Sequence, residues 1–182
     1  MNPQDQPRRG DHPMRLTNFL VRDAIVPRLS VTAPGVHPDD VEAVVGVKER
    51  VVAEMAGALR TAGCFRDTDI AGIAAAVMTR ERIGTTGIGE GIAIPHARHP
   101  SADRLIGNLA ISRDGLPFRS LDSQPAFIFV LLVSPQDQPG VHLRALEAVV
   151  RTMRDKDFVK RLRAAETRDE IWNLLETAAP GW

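Results

Sequence analysis

The chain has one cysteine, Cys64, among its 182 residues, so no internal disulfide can form. A disulfide-stapled secreted scaffold is thereby excluded, and a reducing, cytoplasmic setting is expected. Charge of either sign is not in excess either: 23 lysines and arginines balance 23 aspartates and glutamates. Such a balance gives no long-range field for a nucleic acid or an anionic membrane surface, and neither is expected as a partner. Long apolar runs are missing as well. The two longest, IAGIAAAVM and AFIFVLLV, fall far short of the ~20 residues that cross a bilayer, so no membrane insertion is expected. The opening MNPQDQPRRGDHP is polar and proline-rich with no apolar middle, and reads as a disordered tail over 1–13 rather than a secretory signal. What remains, 14–179, has the length of one domain with a single core.

Within that domain the apolar spacing predicts mixed α/β structure. Residues 14–31 read as a short helix followed by an edge-like strand interrupted by Pro27. Val44, Val45, Val51, Val52, Met55 and Leu59 recur at helical spacing from Val41 until Gly63. A second helix follows with Thr68 or Asp69 as its N-cap, carries Ile70, Ile73, Val77 and Met78, and ends near Arg80. RLIGNLAIS alternates as a strand does, and DGLPFRSLDSQP has turn chemistry. AFIFVLLV has no polar face, so it should be a strand covered on both sides and central in its sheet. Leu143, Leu146, Val149, Val150 and Met153 predict a helix beginning near Gly140, and Phe158 with Leu162 a short one. The last helix begins at TRDE, where Thr167 can cap and Glu170 can reach back. This order fits an α/β sandwich with a central mixed sheet flanked by helices on both sides.

Chemistry concentrates in RERIGTTGIGEGIAIPH, residues 80–96. Glycines 84, 87, 89 and 91 free the backbone for positive φ and for close approach of an anion to exposed amides. The segment lacks the lysine with serine or threonine of a nucleotide P-loop, and no strand clearly precedes its glycines. Pro95 fixes the chain direction just before His96, holding that imidazole on rigid backbone. His142 sits at a helix start, where unpaired amides and the positive dipole end favour an anion and disfavour imidazolium. The guanidinium fork of Arg80 matches phosphate oxygens.

Blander readings stand beside these. A histidine near a turn is commonly structural, and His12, His37 and His99 are read so. His96 and His99 could ligate zinc if helical, but Pro95 and Pro100 bracket them and no further ligands complete a site. Arg80, Glu81, Arg82 and Arg98 could form a solvated rim, and Cys64 is a small apolar filler beside Phe65. From the residues alone His96 is structural, a ligand or a reactive imidazole.

RERIGTTGIGEGIAIPH resembles, nearly position for position, the active-site signature of the type 2 enzyme IIA domains of the bacterial phosphoenolpyruvate-dependent sugar phosphotransferase system, the fructose/mannitol/nitrogen-regulatory family. VHLRALEAVVRTMRDKDFVKRLRAAETRDEIWNLLE is similar to that family's closing segment. The resemblance covers roughly Met14 to Glu176 and implies a phosphocarrier with the same sandwich fold. It implies that His96 is phosphorylated through Nε2, that Arg80 and His142 lie beside it, and that Thr86 is a phosphate or loop hydrogen-bond partner. No metal or other cofactor is implied. The implied partners are a phosphohistidine carrier protein as donor and an enzyme IIB or a regulatory protein downstream. No IIB or IIC segment is fused to this chain, which favours the stand-alone nitrogen-regulatory type over a sugar relay; a regulatory binding module that has lost transfer is the other alternative. Two departures stand out. Ala97 and Arg98 follow the histidine where the family commonly has glycine, so Arg98 adds charge that bears on partner choice, and TAPGVHPDDVEAVVG is longer than usual. Transfer between proteins also requires His96 to be ringed by accessible apolar residues, for which Ile88, Ile92 and Leu143 are candidates.

Overall fold

The computed structural model describes residues 13–178; the expected tail, Pro13 apart, and residue 179 lie outside them. In chain order the elements are α1 (Val41–Thr61), α2 (Asp67–Ile83), β1 (Gly87–Gly89), β2 (Ile92–Ala93), β3 (His96–Arg98), β4 (Ile106–Leu116), β5 (Ala126–Ser134), α3 (Pro139–Thr152), α4 (Lys156–Ala164) and α5 (Arg168–Thr177).

The unbroken apolar run is the centre of a mixed sheet. β5 pairs antiparallel with β4 on one side and parallel with both β2 and β3 on the other. Its side chains alternate: Phe129, Leu131 and Val133 join the core under α1 and α2, whereas Ile128, Val130 and Leu132 join the core under α3, α4 and α5. A strand buried on both faces favours apolar residues on each, and each of these six side chains contributes about 1.5–3 kcal/mol by leaving water.

β2 and β3 are one strand interrupted by Pro95. Ile92 lies opposite Ile128, Ala93 opposite Phe129 and His96 opposite Leu132, so the register is unchanged across the proline. Pro95 has no N–H to give, but its carbonyl accepts from Leu132 N at 3.1 Å and keeps the strand in line.

The segment before α1 differs from the expected short helix and edge strand. It holds two 3-10 turns, Leu16–Asn18 and Arg22–Ala24, and touches β4 through isolated parallel bridges at Leu20 and Val26. Each turn lifts the chain off the sheet before a ladder can lengthen. Asn108 ties this segment down: fully buried on β4, its amide donates to Ala24 O at 2.9 Å and Met55 O at 3.0 Å.

The side-chain caps expected for the helices are met with one exception. Asp40 caps α1, which closes at Gly63 (φ 79) with Gly63 N on Arg60 O and Cys64 N on Leu59 O, the pairing of a left-handed glycine terminus. Thr167 caps α5 by accepting from Glu170 N, and Glu170 reaches back to Glu166 N. The exception is α2, which starts at Asp67 behind Arg66 rather than at Thr68 or Asp69, and runs on to Ile83. β4 likewise continues to Leu116, past the expected start of the turn.

Gly107 of β4 allows β4, β5 and the edge segment to meet: a Cβ there would lie 2.5 Å from Leu131 O and 2.8 Å from Leu132 Cδ2. Gly107→Ala is therefore expected to destabilise the fold by about 1–3 kcal/mol, the range for overpacking a filled core. Urea unfolding checks this. An unchanged midpoint would mean that the strands are not held this closely.

Candidate active site

His96 is the first residue of β3, immediately after the proline, and is half-buried. Strand parity puts it on the face of Ile92 and Ile94, toward α3. Its Nδ1 lies 2.6 Å from the carbonyl oxygen of Ile94. A carbonyl can only accept, so Nδ1 carries the proton and Nε2 keeps its lone pair. Burial lowers the pKa of this imidazole; the Ile94 hydrogen bond opposes that shift, Arg80 adds to it and Glu81 opposes it.

His142 reaches the same place from the first turn of α3, its ring centroid 5.2 Å from that of His96. Its Nδ1 is 2.5 Å from the hydroxyl of Ser134, the fully buried last residue of β5. Burial, followed by the charges of His96, Arg98 and Arg80, lowers its pKa to about 4. His142 is neutral at pH 7, and when Ser134 donates to Nδ1 the ring presents an N–H at Nε2.

Both histidines line a cleft of about 660 Å³ together with Thr79, Arg80 and Ile83 from α2, Ala97 and Arg98 from β3, and Gln136. Arg80 near the end of α2 donates to Gly84 O at 2.9 Å, and Arg98 donates to Gln136 O at 3.1 Å. The cleft lining thus carries two guanidinium groups and no carboxylate. Such a surface neutralises an oxyanion beside an unprotonated ring nitrogen.

Other residues of the sequence motif are elsewhere. Thr86 does not line the cleft; it is buried, its hydroxyl and N–H both given to the carboxylate of Glu81, so of its two expected roles the observed one is the loop hydrogen bond. That carboxylate also pairs with buried Lys48 of α1, whose ammonium lies 4.6 Å over the Phe118 ring. The glycines do not form an anion nest. Gly89 (φ 94) and Gly91 (φ 80) turn the β1–β2 hairpin, Gly84 is extended, and a Cβ on Gly87 would lie 2.9 Å from Ser120 Cα. Several amides are already taken: Thr86 N by Glu81, Gly87 N by Thr85 Oγ1 and Glu90 N by Asp122. Ile92 is in the core at 2% exposure rather than at the rim, while Ile83 lines the cleft at 82%. Leu143 is 58% exposed. His99 accepts from Ser101 N at 3.2 Å and faces Gly72 of α2, away from His142. Ser134, Gln136 and Ile83 gave no signal in the sequence; the β5–α3 junction reveals the first two and the end of α2 the third.

With this geometry established, similarity to known proteins gives the class. Residues 39–178 match the family described as phosphoenolpyruvate-dependent sugar phosphotransferase system, EIIA 2. The chain belongs to that family. It is 30% identical over 166 residues to a nitrogen regulatory protein of Bradyrhizobium diazoefficiens, covering 89% of this chain and 95% of that one. Against the nitrogen regulatory protein of Escherichia coli it is 37% identical over 101 residues, 55% of this chain and 62% of the relative. A fructose-specific EIIABC component of Bacillus subtilis is 34% identical over 128 residues, 70% of this chain and 20% of that much longer protein. Nitrogen regulatory protein IIA-Ntr from Neisseria meningitidis has the same fold, with a TM-score of 0.70 at 23% identity over 87% of this chain and 97% of that chain. Among the described residues no helix is long and apolar enough to cross a membrane.

The site predicts that both imidazoles titrate below the ordinary range. Followed by proton NMR of the ring hydrogens, His142 should titrate near 4 and His96 below the ordinary 6.5. Because the folded-state pKa of His142 is below its unfolded value, the unfolded chain binds more protons between these limits. Its contribution to stability is complete above about 6.5 and declines as pH falls toward 4. A midpoint at or above 6.5 for His142 would contradict the cleft described here.

Proposed function

We propose that the protein is a phosphocarrier of the nitrogen-regulatory type, with Nε2 of His96 as the acceptor. The donor is a phosphohistidine on a carrier protein, and the recipient is a regulatory partner or an enzyme IIB. The observation that carries this reading is the Ile94 carbonyl on His96 Nδ1, because it leaves the other nitrogen unprotonated at the cleft. The relative from Bradyrhizobium diazoefficiens, matched over nearly its whole length, supports the regulatory type.

In the transfer step the Nε2 lone pair attacks phosphorus as the P–N bond to the donor ring breaks, and that bonding pair stays with the donor nitrogen. The accepting ring becomes formally cationic, and its Nδ1–H faces the partial negative charge of the Ile94 oxygen. No proton need move at the moment of transfer. Arg80 and the Nε2–H of His142 supply neutralisation for the phosphoryl oxygens, and positioning does the rest. Release is the same step in reverse toward the next acceptor. Ile83 and Leu143, both largely exposed, give partners an apolar area beside the cleft to cover.

A sugar relay is the second reading, favoured by the fructose-specific relative. Both readings share the chemistry and differ in the downstream acceptor.

Incubation with phosphoenolpyruvate, enzyme I and the carrier protein should yield one acid-labile phosphate per chain. His96→Ala should abolish it while thermal unfolding stays cooperative. His142→Ala should still be labelled, but about 10²-fold more slowly, the usual cost of removing one transition-state donor. Labelling of His96→Ala at the wild-type level would refute the acceptor, and unaltered kinetics in His142→Ala would restrict that residue to a structural role.

A further inference from the structure

We infer that Arg98 is a second guanidinium of the phosphoryl site, sharing with Arg80 the neutralisation of a phosphoryl group on His96. This rests on the reading of His96 as acceptor and adds a residue that the resemblance to the family does not assign.

Geometry comes first. His96 and Arg98 are two apart on β3, opposite Leu132 and Ser134 of β5, so their side chains leave the same face of the strand. Both line the cleft. Ser134, the cross-strand partner of Arg98, is also the residue that holds His142. The arginine therefore stands beside the column that positions the second imidazole.

Charge comes next. Among the described residues Arg98 has no carboxylate partner; its hydrogen bond goes to the carbonyl of Gln136, which steadies the fork without cancelling its charge. Arg80 is held in the same way, by the carbonyl of Gly84. A guanidinium has five N–H donors, so both arginines keep most of theirs free. A phosphoryl group carries nearly two negative charges at neutral pH. One arginine balances about half of that, and two balance it all. The charge of Arg98 is also felt by His142, which it helps to hold neutral.

A rim arginine that serves only partner docking behaves differently, and thermodynamics separates the two. Docking alters the rate of transfer but cannot alter the equilibrium between the phosphorylated carrier and the phosphorylated protein. Purified phosphorylated carrier is mixed with the protein, without enzyme I, and the ratio of phosphorylated forms is read at equilibrium. Arg98→Gln should move that ratio about tenfold toward the carrier, the lower end for a hydrogen bond to a charged group at a half-open site. Arg98→Lys should restore most of it. In the unphosphorylated protein, Arg98→Gln should also raise the midpoint of His142, because a repelling cation has been removed. A wild-type ratio in Arg98→Gln would overturn the assignment, as would an unmoved His142 midpoint. His96→Ala serves as the control: full labelling of that variant would remove the acceptor itself, whereas its failure to label alongside an unshifted Arg98→Gln ratio would remove only the role of Arg98.

Discussion

The structure turns on the hydrogen bond between His96 Nδ1 and the carbonyl of Ile94, two residues earlier in the chain. A ring nitrogen becomes a nucleophile only when the other nitrogen holds the proton, and many sites enforce this with a carboxylate. A carboxylate here would repel any anion entering the cleft and raise the pKa of the ring. A backbone carbonyl orients the ring with a partial charge only. Pro95 makes that contact dependable. It fixes one dihedral between the two residues and gives its own carbonyl to Leu132 so that β3 stays in register.

Glu81 does not bring its negative charge to the cleft lining. It follows Arg80 on α2, yet it is buried, and its oxygens receive Lys48, the Thr86 amide and the Thr86 hydroxyl. Burying an ion pair has a large desolvation cost, and a pair alone is weak evidence of stability. With the additional hydrogen bonds it joins α1, α2 and the first residues of the glycine segment at one point. The consequence for the site is that Arg80 emerges from an anchored helix end. Its charge also suits the helix C-terminus that it caps through Gly84.

Much of this was legible in the sequence, for identifiable reasons. AFIFVLLV read as a covered central strand because it has no polar face. His96, His142 and Arg80 were legible as a group through the family signature, and the cleft does bring them together. The glycines were not, because spacing shows which residues permit an unusual backbone but not whether an anion or another strand uses it. Here Ser120 and the hairpin turn use it. For Thr86 two roles were open, and the loop hydrogen bond is the one observed. Ile92 was misplaced for a related reason: in a strand covered on both faces, proximity to His96 in the chain means burial. The start of α2 was misread because Asp67 and Asp69 both suit a first helical turn, and a side-chain cap is only one way to begin a helix. The segment before α1 was obscured by its 3-10 turns, which have no hydrophobic period to detect.

Topology explains why one small cleft can collect these groups. β3 and β5 are parallel, so their carboxyl ends lie at the same edge of the sheet, where open α/β sheets tend to hold ligands. From that edge β3 contributes His96 and Arg98, while the end of β5 contributes Ser134 and leads, after a short turn, into α3. The first turn of α3 then returns His142 to Ser134, closing a contact only eight residues long in sequence. The amino end of α3 brings its positive dipole to the cleft, and α2 reaches the same edge from the other face of the sheet with Arg80. Both guanidinium groups and both imidazoles therefore arrive from a helix or a strand rather than from a loop. The proposed transfer gains from that arrangement, because loop ordering on each arrival would slow it in both directions.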